Sequence, residues 1–287
     1  MFFVDVNSGD KIPPAANSIG ERRFGMDHSP QEMQLLTQVL PNVAAQLRTT
    51  LGNMHAALAP GDAPDACILR QSYYRLLRTV TNLTDAVMLA EDTPLPRQDT
   101  ELTSFFDALC RQAREPLAIC GLTLETDLRP RQLMAGISRE YTARIFWNLL
   151  SNAAKFTPAG GRVRVTLLQQ GKRALLQVAD TGHGIHPELQ DTVYNRILHT
   201  DRMDPLPHGL GLGLSLCRCF ASRQGGSLLL QSETDSGTTV TVSLPAERCG
   251  VQTVQDVPFH YAGGFQPVMM ELSDAMPYQG YMEKYLD

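Results

Sequence analysis

Nowhere in its 287 residues does the chain carry a run of about 18 apolar residues, so nothing in it reads as a membrane-spanning helix. The opening Met1-Phe2-Phe3-Val4-Asp5-Val6 meets an acid before an apolar signal segment could form. Positive charge is scarce as well: 25 Lys and Arg against 30 Asp and Glu leave a net charge of -5, which argues against an electrostatic duplex-DNA footprint. No C-x-x-C pair occurs among the six cysteines, Cys67, Cys110, Cys120, Cys217, Cys219 and Cys249. These absences lead us to expect a cytoplasmic chain with reduced, mostly packed thiols, no nucleic-acid partner and no membrane span. With 43% hydrophobic and 19% charged residues, disordered and collagenous classes are excluded, and the length admits about two domains.

What is present falls into four stretches. Residues 1–30 carry Gly, Pro, Asn and Asp without a period and read as a lead-in. After Ser29-Pro30, Leu36, Leu40, Val43, Leu47, Leu51, Met54 and Leu58 recur at steps of three and four, the stripe of one long helix. Beyond Pro60-Gly61, Leu69, Tyr73, Leu76, Val80, Leu83, Val87 and Ala90 draw a second. Residues 31–92 therefore form a helical hairpin with two apolar seams. Such a hairpin covers both seams by pairing with a second copy in a four-helix bundle, or by packing on the rest of its own chain; the heptad regularity favours the homodimer. Thr93-Pro94-Leu95-Pro96 reads as a hinge.

Residues 98–248 mix helix and strand. A helix through Leu102 to Leu117, a strand at 122–126, a helix from Ser138 to about Phe156, and two hairpins, 162–168 with 173–179 and 227–232 with 238–244, predict an α+β sandwich with its helices on one face. Residues 249–287, Met- and Tyr-rich with Gly and Pro interruptions, suggest no role.

Three clusters carry chemistry. Asn148, Asn152 and Lys155 share one helix face, with Ile145, Phe146, Leu149, Leu150 and Ala153 on the core side; two carboxamides and an ammonium suit a hard cation and phosphate, although a polar helix face is commonly just solvated. Asp180-Thr181-Gly182-His183-Gly184-Ile185 follows a strand, setting a carboxylate beside a backbone that a planar ligand can approach, although Asp-x-Gly turns are common. Gly209-Leu210-Gly211-Leu212-Gly213-Leu214 opens a helix with exposed N–H groups, the chemistry of phosphate binding. It is neither a dinucleotide fingerprint, since Leu214 stands where a third glycine is needed, nor a P-loop, since G-K-[ST] is missing.

In order and spacing, Asn148 to Pro158, Asp180 to Ile185 and Gly209 to Gly213 resemble the N, G1 and G2 boxes of the sensor histidine kinases, whose ATPase superfamily includes gyrase, Hsp90 and MutL; Gly237-Thr238-Thr239 matches as well. The resemblance implies an α/β sandwich that binds Mg-ATP under a lid, here roughly residues 186–208. It implies that Asn152 ligates Mg²⁺, that Asn148 and Lys155 contact the ion and phosphates, and that Asp180, supported by Thr238, accepts from the adenine amino group. Gly182, Gly184, Gly209, Gly211 and Gly213 would complete the nucleotide site. Val193 to Ile197 matches the family's lid box loosely, and Arg196 is a candidate contact for the γ-phosphate.

The same family carries a phosphoacceptor His in a run like His-Glu-Leu-Arg-Thr-Pro-Leu. Here the stretch is Ala45-Gln46-Leu47-Arg48-Thr49-Thr50-Leu51. Ala45 has no atom that can attack phosphorus and Gln46 cannot act as a general base, so self-phosphorylation at that position is impossible. His55 lies ten residues on, about 15 Å along a helix, too far to substitute without a different docking. Gln46 and Thr49, three apart, could instead orient a water toward a phospho-aspartate. The resemblance thus implies two-component signalling through a response-regulator receiver or a partner kinase, with phosphatase action or an ATP-responsive scaffold as alternatives. A hydrolase of the gyrase kind is disfavoured, because Asn148 stands where a water-activating carboxylate is required.

Overall fold

The computed structural model describes residues 47, 61–90, 95–189, 193, 213–251 and 266–285. The expected lead-in and, apart from Leu47, the expected first helix lie outside the described residues. Helix α1 spans Pro64–Ala90 and begins on a proline, tolerated where the first N–H has no intrahelical partner. In chain order follow β1 (Gln98–Glu101), α2 (Leu102–Ile119), β2 (Thr123–Leu128), β3 (Met134–Ile137), α3 (Arg139–Phe156), β4 (Arg162–Gln170), β5 (Arg173–Asp180), α4 (Gly213–Arg223), β6 (Ser227–Glu233), β7 (Gly237–Pro245) and the short α5 (Pro267–Glu271). Two 3-10 turns, Tyr278–Tyr281 and Glu283–Tyr285, follow α5.

Both expected hairpins form, as β4-β5 and β6-β7. They join in one sheet of order β2-β4-β5-β7-β6, in which β2 runs parallel to β4 and the other pairs are antiparallel. Strand alternation puts Val163, Val165 and Leu167, then Ala174, Leu176 and Val178, then Val240, Val242 and Leu244 in the core. The opposite face is polar, with Arg164 paired to Glu125 across β4 and β2 and Gln177 donating to Thr241 across β5 and β7. One apolar face recruits one helical layer, so the predicted α+β sandwich is what forms. Helix α2 is anchored by Glu101, whose carboxylate accepts from the N–H groups of Thr103, Ser104 and Leu133. Burial raises the Glu101 carboxyl, but these donors outweigh it and bring it down to about 2.

Helix α3 is buried almost all round. Ile145, Phe146, Leu149, Leu150 and Ala153 lie in the core as expected, while Arg144, Asn148 and Ser151 are buried as well, against α1 and residues 266–285. The sandwich thus carries a further helical layer over α3. Leu95 of the expected hinge is itself in the core.

The seam assigned to the second hairpin helix divides. Tyr73 and Val80 are buried, whereas Leu69 is 49% and Leu76 46% exposed. The face turned to the rest of the chain is largely polar: Arg70, Gln71, Arg78, Thr81 and Asp85, interleaved with Cys67, Tyr74 and Leu77. On that face the helix packs on its own chain. Residues 266–285, for which the sequence suggested no role, strap it down. Gln71 donates to the Met276 carbonyl, Arg75 to that of Ser273 and Arg70 to that of Tyr281, while the Tyr281 hydroxyl closes the strap on Met269 O. A strap of irregular backbone satisfied by arginine and glutamine side chains leaves no apolar period to read. All six cysteines are free thiols. No helix among the described residues is long and apolar enough to cross a membrane.

Candidate functional site

Asn148, Asn152 and Lys155 stand in a row on α3, and two further segments reach that helix. The loop after β5 touches its C-terminal end, where His183 N donates to Phe156 O at 3.4 Å. The first residue of α4 touches its middle: a methyl added at Gly213 would stand 3.2 Å from Asn148 Oδ1 and 3.9 Å from Asn152 Nδ2. Eight residues of helix separate Asn148 from Phe156, about 12 Å of edge. The structure therefore brings Gly213 to Asn148 and Asn152 in the middle of α3, and the loop that carries Gly182 and Gly184, held with Asp180 and Thr238, to the Phe156 end of the same helix, one residue from Lys155. Gln46, Thr49, Arg196, Gly209 and Gly211, with Ala45 and His55, lie outside the described residues.

At one end of that edge, Asp180 Oδ1 accepts from Gly182 N at 2.9 Å and from Thr238 N at 3.2 Å. Both bonds go to the same oxygen, which leaves Oδ2 without a hydrogen bond among the described residues. Burial raises the Asp180 carboxyl, and the two N–H donors oppose that. Thr238 supports the aspartate through its backbone, since its hydroxyl bonds to Ser232 Oγ at 2.8 Å. The glycines are sterically required: a Cβ at Gly182 would collide with Phe156 O, and Gly184, at φ +66°, would drive one into Glu233 O.

The other end is filled from within. Asn148 is fully buried; its Nδ2 donates to Arg144 O, and its Oδ1 accepts from Arg78 at 3.1 Å. The same guanidinium donates to Ser151 Oγ at 3.0 Å and to Asp274 Oδ2 at 2.7 Å, and lies 3.5 Å from Glu271. Behind it Arg144 pairs with Asp85 and approaches Glu271 at 3.9 Å. Burial lowers the Lys155 ammonium; Asp274 pulls it back up, and Arg78 and Arg75 push it down. Burial raises Asp85 to about 7 and raises Glu271 too, against the pull of the arginines. A hard cation takes oxygen ligands, and Mg²⁺ commonly needs only one or two from protein beside phosphate and water. The half-exposed Asn152 carboxamide fits that need, whereas Asn148 Oδ1 already faces a guanidinium.

Sequence reasoning missed Arg78, Ser151 and Asp274. One signal is present in the sequence: Gln71, Arg78 and Asp85 recur every seven residues, a polar stripe beside the helix's more conspicuous apolar one.

Residues 138–248 match the family of histidine kinase-, DNA gyrase B- and HSP90-like ATPases. The chain is 33% identical to the histidine protein kinase DivJ of Caulobacter vibrioides over 218 residues, 72% of this chain and 36% of DivJ. It is 28% identical to the sensor histidine kinase RppB of Synechocystis over 227 residues, 75% of this chain and 50% of RppB. The chain belongs to the sensor histidine kinase family. Its fold matches the solved full-length structure of ShkA in complex with AMPPNP, with a TM-score of 0.60 at 21% identity over 73% of this chain and 46% of that one. It spans between 36% and 50% of the length of these three members of the comparison.

Proposed function

We propose that the chain binds Mg-ATP and acts in two-component signalling without phosphorylating itself at the usual helix position. The unit of residues 98–248 is the ATP-binding domain, and residues 31–92 are the hairpin through which two copies pair. What supports nucleotide binding is the Asp180 carboxylate, fixed by two N–H donors to one of its oxygens, near the end of the α3 helix that also carries Asn152 and Lys155. Asp180 accepts from the adenine amino group. Asn152 holds Mg²⁺, which neutralises phosphate charge when bound, and Lys155 contacts the phosphates. Gly213 opens a helix whose N-terminus suits the same anions. Asn148 can join the ion only after Arg78 withdraws from its oxygen.

Pairing of two copies is supported by Ile68, Leu69 and Leu76, which leave an apolar strip exposed on α1. With Ala45 and Gln46 in place of nucleophile and base, phosphoryl groups move only on another molecule, a response-regulator receiver or partner kinase, with Gln46 and Thr49 available to orient water for phosphatase action. Hydrolysis of the gyrase kind lacks its carboxylate at Asn148.

Calorimetry tests the site. Asp180→Asn turns an acceptor oxygen into a donor or rotates it away, and should weaken Mg-ATP binding at least hundredfold while the far-UV spectrum is unchanged. Undiminished affinity would refute the site. Incubation with labelled ATP should leave no acid-labile phosphate on the chain, and label at His55 would overturn the denial of self-phosphorylation.

A further inference from the structure

Arg78 belongs to α1, outside the ATPase-type domain, yet its guanidinium reaches the α3 edge that carries Asn152 and Lys155, within 3.1 Å of Asn148 Oδ1 and 3.0 Å of Ser151 Oγ. We propose that Arg78 is a phosphate-binding residue of the nucleotide site, and that Asp274 is the internal carboxylate which the terminal phosphate of ATP displaces from it. This rests on the nucleotide reading above and extends it to a residue from outside that domain.

Three observations carry the proposal. First, the carboxylates around Arg78 are not equivalent. Glu271 is completely enclosed, and Asp85 behind it, on Arg144, nearly so, whereas the Asp274 side chain is 38% exposed while making the shorter of the two carboxylate contacts to Arg78, 2.7 Å against 3.5 Å. Only Asp274 can be exchanged for a soluble anion without opening the core, and Glu271 stays to balance the buried arginine. Second, Asp274 sits among cations: it acts on Lys155 together with Arg78 and Arg75. A carboxylate there does what a phosphate oxygen would do, and a guanidinium fork accepts either. Third, Gly213 stands against the same Asn148 oxygen, adding the partial positive charge of a helix N-terminus to that spot.

Displacement of Asp274 also frees a residue of the strap that holds α1 on the domain, so nucleotide binding would loosen that strap's grip through Ser273 and Met276.

The test titrates the full chain with Mg-ATP and Mg-ADP by calorimetry. Asp274→Asn removes the competitor and should tighten ATP about tenfold, the worth of one charge-assisted bond, while changing ADP less than twofold. The double variant Arg78→Gln/Glu271→Gln, which leaves no buried carboxylate stranded, should weaken ATP about tenfold and ADP less than twofold. Unchanged ATP affinity in Asp274→Asn overturns the proposal, even if the Arg78 variant fails to fold, and so does an equal loss of ATP and ADP in a folded double variant. If the unaltered chain and Asp274→Asn both bind neither nucleotide, the site reading itself falls and takes this proposal with it; binding that Asp180→Asn abolishes but Asp274→Asn leaves untouched removes the proposal alone.

Discussion

The two ends of the α3 edge are built by opposite means. At the Asp180 end, backbone does the positioning: two N–H groups hold one carboxylate oxygen, close-packed glycines make room, and the second oxygen has no hydrogen bond among the described residues. At the Asn148 end, side chains from α1 and the strap fill the space and satisfy one another, across sequence separations of 70 to 196 residues. An end made of local backbone is ready for a ligand as it stands. An end made of paired charges must exchange partners first, and so is where binding can be coupled to the rest of the chain.

The largest effect should come from cutting the charged layer on one side. Arg144→Met strands Asp85 in the core, leaves Glu271 to Arg78 alone, and should cost about 3–5 kcal/mol in thermal or chemical denaturation, with much of it recovered when Asp85→Leu is added. A small loss from the single change would mean that the layer is wetter than its burial implies. At the backbone-built end, Gly184→Ala should cost about 3 kcal/mol, because it combines a left-handed φ with a collision against Glu233 O. A neutral result would show that the loop relaxes freely and does not fix Asp180.

A pH profile separates two carboxylates that differ in the same way. Asp85 is raised from 3.8 to about 7, so the folded chain holds a proton that the unfolded chain has lost; its stabilisation is full below about pH 4, declines as pH rises toward 7 and is flat above. Asp85→Asn should flatten that decline in unfolding midpoints. Glu101 is lowered from 4.5 to about 2 by its N–H donors, so its stabilisation is present above about pH 4.5 and is lost as pH falls toward 2. As the cap of α2 it is the smallest of these effects: Glu101→Ala should cost about 1 kcal/mol at neutral pH, read as a modest drop in Tm, and clearly less at pH 2.

The same contrast explains what the sequence could reveal. Strand alternation in β4 to β7, the Asp180 turn and the Asn148-Asn152-Lys155 row are local patterns with periods of two or about four, and all of them could be read before the fold was known. β2 was legible as a strand but not as a parallel neighbour of β4, because pairing is a long-range choice. Leu69 and Leu76 draw an apolar seam along α1, yet the opposite stripe of Gln71, Arg78 and Asp85 holds the helix to its own chain. Polar residues in a helix look solvated until the carbonyls and carboxylates of residues 271–283 supply their partners.

The most direct test of one convergent nucleotide site is a crystal structure of the full chain with Mg²⁺ and a non-hydrolysable ATP analogue. The account predicts the adenine amino group on Asp180 Oδ2, the ion on Asn152 and the phosphates along Lys155 toward Gly213. An analogue bound elsewhere, or one whose base leaves Asp180 in water, would contradict it.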